Sequence, residues 1–319
     1  MTGSIHVLGP QSPDSNLTHA VNMFCPQGDI AVISAGWRYE ECELQELQRK
    51  LGRKLRHIPL YEWFDALGSV EPELSGLHRI RQRRILDYKK VYQVNLDAAM
   101  DSWESIQELY RKDPDTYAKD EREACKHVQT VDRNCLKRLS EIKQDFGAIS
   151  TPWLHESALP LYEQIIQTLE RCSGLIITGG HVAILRNRLA FFGLEDLLTN
   201  FVLDGNHIFA WSAGAMCLTE RIVLFHDNPP WGQGRTEILD TGMGLLPKTV
   251  FVPNATARLN LKDPKRIERF ARRFQPCLSI CLESGSHLIF TDQGVYDRSA
   301  KRSTFQLSTE GTKLALESV

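Results

Sequence analysis

The run Ala210-Trp211-Ser212-Ala213-Gly214-Ala215 sets a serine between small residues two positions before and two after it. Ahead of it, Asn206 to Trp211 is an apolar run with the composition of a buried strand. Behind it, Ala213 to Arg221 has the composition of a helix. A strand that turns at once into a helix around Ser is the setting of a nucleophile elbow. The turn is so tight that only small residues fit two places either side of the nucleophile, and Ala210 and Gly214 meet that demand. It lifts the Ser212 hydroxyl above the sheet, while the following helix aims its first N–H groups at the same point. The Ala213 N–H then becomes an oxyanion donor, and acyl transfer is the chemistry. A plain turn with Ser as a helix N-cap would use the same residues, so the elbow needs support from elsewhere in the chain.

That support comes from Thr178-Gly179-Gly180-His181, which follows the strand-like run Gly174 to Thr178. Glycines at a strand end let the backbone approach a ligand closely, and Gly179 and Gly180 are candidates for the second oxyanion N–H. Arg258 is a candidate for holding a carboxylate through both guanidinium nitrogens. Cys217, five residues past Ser212, reads as core. Trp63 and Trp103 read as packing residues, Trp37 as packing or cleft lining, and Trp231-Gly-Gln-Gly234 as a surface loop.

The elements around these residues alternate. Asp29 to Ala35 and Leu55 to Leu60 read as strands with the helical stretch Glu40 to Leu51 between them, which is the grammar of a parallel sheet with helices on its faces. That rhythm stops between Leu77 and Phe146. There Ile85, Tyr88, Tyr92, Leu96, Ala99, Trp103, Ile106 and Tyr110 recur every three or four residues, Asp113-Pro114 breaks the pattern, and Ala124, Val128, Val131, Cys135, Leu139 and Ile142 resume it. The spacing predicts an antiparallel helical hairpin over 77–146, inserted into a single α/β domain spanning 1–319. After Pro152 the alternation returns: a helix Leu161 to Arg171, a helix Arg186 to Leu198, and strands at Ile222 to Phe225, Val250 to Val252, Ser279 to Leu282 and His287 to Phe290. The tail from about Ser303 reads as a terminal strand or as poorly ordered chain.

Composition bounds the function. The net charge of −2 lacks the basic excess of nucleic-acid proteins. No apolar run approaches the ~18 residues of a membrane helix, and the first residues do not have the pattern of a signal peptide. Eight cysteines without C-x-x-C spacing read as reduced, mostly buried thiols. The expectation is a cytoplasmic protein without metal or cofactor. A hairpin that long, with an apolar face to cover, leaves a homodimer open.

Together, Thr178-Gly179-Gly180, the Trp211-Ser212-Ala213-Gly214-Ala215 elbow, Ile222-Val-Leu-Phe-His-Asp227, Gly242-Met-Gly-Leu-Leu-Pro247 and Leu282-Glu-Ser-Gly-Ser-His-Leu288 resemble the dipeptidase E and cyanophycinase family of serine peptidases. The likeness is loose over 29–60 and good over 160–295, and the helical insertion lies outside it. It implies a class I glutamine amidotransferase-like fold: a mostly parallel sheet sandwiched by helices. It also implies Ser212 as nucleophile, Asp227 as the acidic residue after the elbow, Glu283 with Ser284 beside it as the later acidic segment, and short aspartyl peptides as substrates. The family's catalytic His should follow Leu-Leu-Pro. Here Asn254 or Ala255 stands in that slot, and there is no His between His226 and His287.

A serine hydroxyl needs a base to take its proton, and Asn cannot supply one. His226 is the first substitute, although it and Asp227, as neighbours on an extended segment, point to opposite sides. His181 and His287 come next, and His207 sits too far down its strand. Two readings stay open: a serine hydrolase with Ser212, His226 and Asp227 as machinery and Gly179, Gly180, Ala213 and Asn254 around the substrate, or a catalytically silent relative that binds a small ligand or a protein partner. Glutamine amidotransfer is weaker, because those enzymes carry Cys at the elbow.

Overall fold

Short runs of β-branched and aromatic residues build the sheets of the computed structural model, which describes residues 3–13, 15–227 and 235–316. The first half runs β1 (Ser4–Leu8), α1 (Leu17–Phe24), β2 (Asp29–Ile33), α2 (Gln45–Leu51), β3 (Leu55–His57), α3 (Leu60–Val70), α4 (Pro72–Lys112) and α5 (Pro114–Ile149). Then come α6 (Leu159–Glu170), β4 (Cys172–Ile177), α7 (Val182–Phe191), α8 (Leu194–Leu203), β5 (His207–Trp211), α9 (Ala213–Leu218), β6 (Arg221–Leu224) and β7 (Glu237–Thr241). The last part holds β8 (Thr249–Pro253), α10 (Ala255–Arg258), α11 (Pro264–Phe274), β9 (Leu278–Leu282), β10 (His287–Thr291), β11 (Gly294–Asp297), β12 (Thr304–Leu307) and β13 (Lys313–Leu314).

The main sheet has the order β11-β10-β1-β5-β4-β2-β3. Its five strands from β1 to β3 are parallel, and β10 and β11 add an antiparallel edge. Side chains alternate across it. Phe209 and Trp211 of β5 pack with Leu17, Val21 and Leu51 from α1 and α2, while Ile208 and Ala210 face the larger core on the other side. This is the mostly parallel, helix-flanked sheet expected, with two corrections. The central strand β1 was not foreseen. The strands at Val250 and Ser279 do not complete the main sheet: β8 and β9 form a second sheet, β13-β12-β9-β8, and β6 pairs with β7 in a third. The tail is thereby placed, as β12 and β13. The predicted helix after Arg186 is two helices, α7 and α8, parted at Gly193 with φ 61°.

The hairpin forms as the spacing requires. Asp113 interrupts it and caps α5, its carboxylate accepting from the Thr116 N–H at 3.2 Å. Ile85, Tyr92, Leu96, Ala99 and Trp103 of α4 are buried with Ala124, Val128, Cys135, Leu139 and Ile142 of α5. Trp103 Nε1 donates to Glu121 at 2.8 Å, so the indole is buried without an orphaned polar group. Among the described residues no helix is long and apolar enough to cross a membrane. All eight cysteines are free, and Cys42 alone of them is exposed.

Beneath α1 the sheet buries a file of imidazoles. His287 Nε2 lies 3.0 Å from His6 Nδ1, His6 Nε2 lies 2.8 Å from Ser4 Oγ, and Ser4 Oγ lies 2.7 Å from His207 Nδ1. His6 stacks on Phe209 with ring centroids 4.5 Å apart. Burial, helped by the neighbouring imidazoles, pushes His6 down to about 2; burial, helped by Arg298, pushes His287 down to about 4. The unfolded chain takes up these protons near the ordinary value of 6.5 and the folded chain does not, so stability is full above pH 6.5 and falls as pH drops toward 4. The loss from His287 alone is on the order of 3 kcal/mol. Urea melts between pH 7 and 4 should show it, and His287→Phe should flatten the slope; an equal slope in that variant would rule His287 out as a source.

Candidate active site

Ser212 directly follows β5, at the carboxyl edge of the parallel strands, where open α/β sheets place their ligands. Its backbone sits at φ 49°, ψ −113°, a strained conformation for a residue with a side chain. Three features hold it there. Ala210 is fully buried on the strand before it. A Cβ on Gly214 would lie 2.4 Å from the Ile177 carbonyl, so only glycine lets α9 seat against the end of β4. The Gly242–Leu246 segment then clamps the far end of α9: Met243 N–H donates to Cys217 O at 2.8 Å, Gly244 N–H to Thr219 O at 3.0 Å and Leu246 N–H to Leu218 O at 2.9 Å. Gly214→Ala should cost about 2 kcal/mol by overpacking, read as a lower urea midpoint. An unchanged midpoint would mean that the elbow has room to spare.

Ser212, Ala213, Gly180, His226, Asn254 and Arg258 line one cavity of about 280 Å³, together with Pro10, Met216, Phe225 and Pro253. Six residues singled out in the sequence thus meet at one cavity. Gly180 has φ 114°, and a Cβ there would meet the Gly36 carbonyl at 2.4 Å, which keeps its backbone close to the cavity wall. Gly179 lies just behind, where a Cβ would come within 3.2 Å of Ser212 Cβ. Trp37 packs beside Gly180. Trp63 packs edge-on against Phe192, and Cys217 is buried with its thiol pushed up to about 12, as core residues do. The Trp231–Gly234 loop falls outside the described residues.

Of the four histidines weighed, His226 alone lines this cavity. His181 caps α7, its Nδ1 accepting from the Ile184 N–H at 3.3 Å. His207 and His287 belong to the buried file beneath α1. His226 stacks on Phe225 with ring centroids 6.0 Å apart. Partial burial and then the Arg258 cation hold it below the ordinary imidazole value, against the opposite pull of Asp227, so at neutral pH it is an unprotonated acceptor. Arg258 lies 5.9 Å above the Phe225 ring, and burial lowers its affinity for its proton.

One acidic assignment needs correction. Asp227 does not share the Ser212 cavity. It lines a neighbouring cavity of about 680 Å³ and pairs with Arg266 at 2.7 Å. Glu283 is engaged with the turn where the family's His is expected: its carboxylate accepts from the Thr256 N–H at 2.8 Å and from Thr256 Oγ1 at 2.9 Å. Asn254 opens that turn at φ 55°, ψ 44°. Arg266 was not picked out from the sequence, where an arginine in a charged helix carries no signal.

The family model of Peptidase family S51 matches residues 128–297, more than half of the chain. The chain belongs to Peptidase family S51. The likeness to dipeptidase E seen in the elbow and the Gly-x-Gly-Leu-Leu-Pro segment is therefore borne out. A peptidase from an acI-B1 Actinobacterium shares the S51 chain's fold, with a TM-score of 0.51 at 12% identity, over 100% of this chain and 97% of that one. Pyridoxal 5'-phosphate synthase subunit PdxT of Corynebacterium glutamicum (strain R) is 31% identical over 77 residues, 24% of this chain. The match spans 36% of that curated relative's length.

Proposed function

We propose that this S51 member is a serine-type peptidase that cleaves a short peptide or amide bond next to a carboxylate. The observation that carries the reading is the strained Ser212 elbow opening into a cavity that also holds an unprotonated imidazole and an arginine. His226 takes the Ser212 proton as the hydroxyl attacks the scissile carbonyl, and later returns it to the leaving amine. The Ala213 N–H, one of the helix-start amides that lack an intrahelical partner, and the Gly180 N–H stabilise the oxyanion. Arg258 holds the substrate carboxylate; among the described residues no acidic side chain forms an ion pair with it, so its charge is available to a ligand. Asn254 hydrogen-bonds the substrate from the opposite wall. The test is turnover of aspartyl and β-aspartyl dipeptides against their amidated, uncharged counterparts. A preference for the charged set that disappears in Arg258→Met supports the assignment, and equal turnover of both sets refutes it.

A second reading has its own observation. Among the described residues no imidazole is hydrogen-bonded to Ser212, and Asn254 or Ala255 stands where the family's His is expected. On that reading the cavity binds a short acidic peptide without cutting it. Tight binding of the same dipeptides with no turnover would favour it.

A further inference from the structure

Asp227 adjoins the candidate base, yet its carboxylate is fully engaged on the side away from Ser212. Arg266 Nε donates to Asp227 Oδ1 at 2.8 Å and to Oδ2 at 3.1 Å, and the Asn260 N–H donates to Oδ2 at 2.6 Å. The Asp227 N–H is fixed as well, donating to the Arg258 carbonyl at 2.8 Å. Arg266 is held in turn. Its Nη2 donates to Thr236 Oγ1 at 2.7 Å, and the carbonyl of the same threonine accepts from Arg273 Nη1 at 2.6 Å. Arg273 is buried and grips Asp132 of α5 with two bonds, at 2.7 and 2.8 Å. Asp132 accepts from the Tyr92 hydroxyl of α4 at 2.8 Å, and the Ile238 N–H donates to the same Tyr92 oxygen at 3.0 Å. An unbroken line of polar contacts thus runs from both helices of the hairpin, through α11 and Thr236, to the residue beside His226.

We infer that Arg266 is a positioning residue of the Ser212 site: it holds Asp227 toward α11, which turns the adjoining His226 to the Ser212 cavity, and the inserted hairpin is the anchor that fixes Arg266. This rests on the reading of His226 as the base. The physical argument has two parts. Asp227 is held at both ends, its N–H on the Arg258 carbonyl and its carboxylate on Arg266 and the Asn260 N–H, and this fixes the backbone that carries the adjoining His226. A bidentate arginine also cancels the carboxylate charge that would otherwise favour the protonated imidazole. The charged groups around His226 are Asp227 beside it and Arg258 from α10. The anchor is firm because Arg273 and Asp132 are buried with their bonds made, the condition under which breaking such a pair is strongly destabilising.

The experiment follows the His226 imidazole by ¹⁵N NMR in the full chain, with the signal assigned by its loss in His226→Gln. In Arg266→Met the His226 midpoint should move up, and in Arg266→Lys, which keeps a cation, it should move less. In the double variant Arg266→Met/Asp227→Asn it should return toward the wild-type value, because the uncompensated charge is gone. Asp132→Asn, at the far end of the line, should move it in the same direction as Arg266→Met. An unmoved midpoint in folded Arg266→Met would overturn the role of Arg266. If that single variant does not fold, a midpoint that Arg266→Lys and Asp132→Asn both leave in place would overturn it instead. A shift with Arg266→Met and none with Asp132→Asn would overturn the role of the hairpin. Where turnover is measurable, kcat should fall in Arg266→Met with KM little changed, and the acid limb of its pH profile should move up. A moved midpoint in a protein that hydrolyses nothing would uphold the positioning contact and remove the hydrolase reading.

Discussion

Asn254→His is expected to raise Ser212-dependent hydrolysis by about 10²- to 10⁴-fold, the usual contribution of a well-placed base. Asn254 lines the Ser212 cavity and sits in the left-handed region at φ 55°, ψ 44°, where His is among the side chains best tolerated. Its N–H donates to the Leu282 carbonyl at 2.8 Å, so the backbone that would carry the imidazole is already fixed. Glu283, the next residue after that carbonyl, reaches the same turn and holds Thr256. A new imidazole would find in Glu283 the orienting carboxylate that His-based triads use. The measurement is kcat/KM on aspartyl dipeptides for the wild type, Asn254→His and Asn254→His/Glu283→Gln. A gain in the single variant that the double variant loses would mark Asn254 as the vacated base position. No gain in a folded single variant would leave His226 as the base that matters.

The second large effect is a loss. Ser212→Ala should cut turnover by about 10³-fold or more, leaving what the oxyanion donors and binding alone provide. His226→Gln should cost a similar factor, and the double variant little beyond either single one, because groups that act as a unit are not additive. The pH profile carries the sign. His226 must be unprotonated to act, so kcat/KM rises with pH through its midpoint, which burial and Arg258 keep below 6.5. Wild type and Arg258→Met should therefore differ on the acid limb, with the variant's midpoint higher. An acid limb that stays in place in Arg258→Met would count against His226 as the group that sets it.

Some of this was legible in the residues and some was not. The elbow could be read because its steric demand is local: Ala210 and Gly214 stand where nothing larger fits. The hairpin could be read because burial on one helix face repeats every three or four residues, and Asp113-Pro114 marks the break. Strand β1 escaped because Ser4 and His6 interrupt its apolar pattern, although both are buried and bonded to imidazoles contributed from beyond residue 200. The division into separate sheets was invisible for a related reason: whether β8 joins β9 or the main sheet depends on partners far along the chain. Asp227 shows the limit of motif transfer. Its position along the sequence fits the family's acid, but its carboxylate is paired with Arg266, 39 residues away in a helix that no motif marks.

The place of β1 also governs when this chain can finish folding. It is made first, yet it lies between β5, which begins at residue 207, and β10, which begins at residue 287. At a synthesis rate of roughly 5–20 residues per second, it must wait tens of seconds for its second neighbour. The hairpin closes through contacts between adjacent helices and can form while the rest is still being made. During that interval a strand with two open edges waits unpaired on the nascent chain, the state that chaperones bind. The helices of the insertion can thus fold before the site they are inferred to anchor exists.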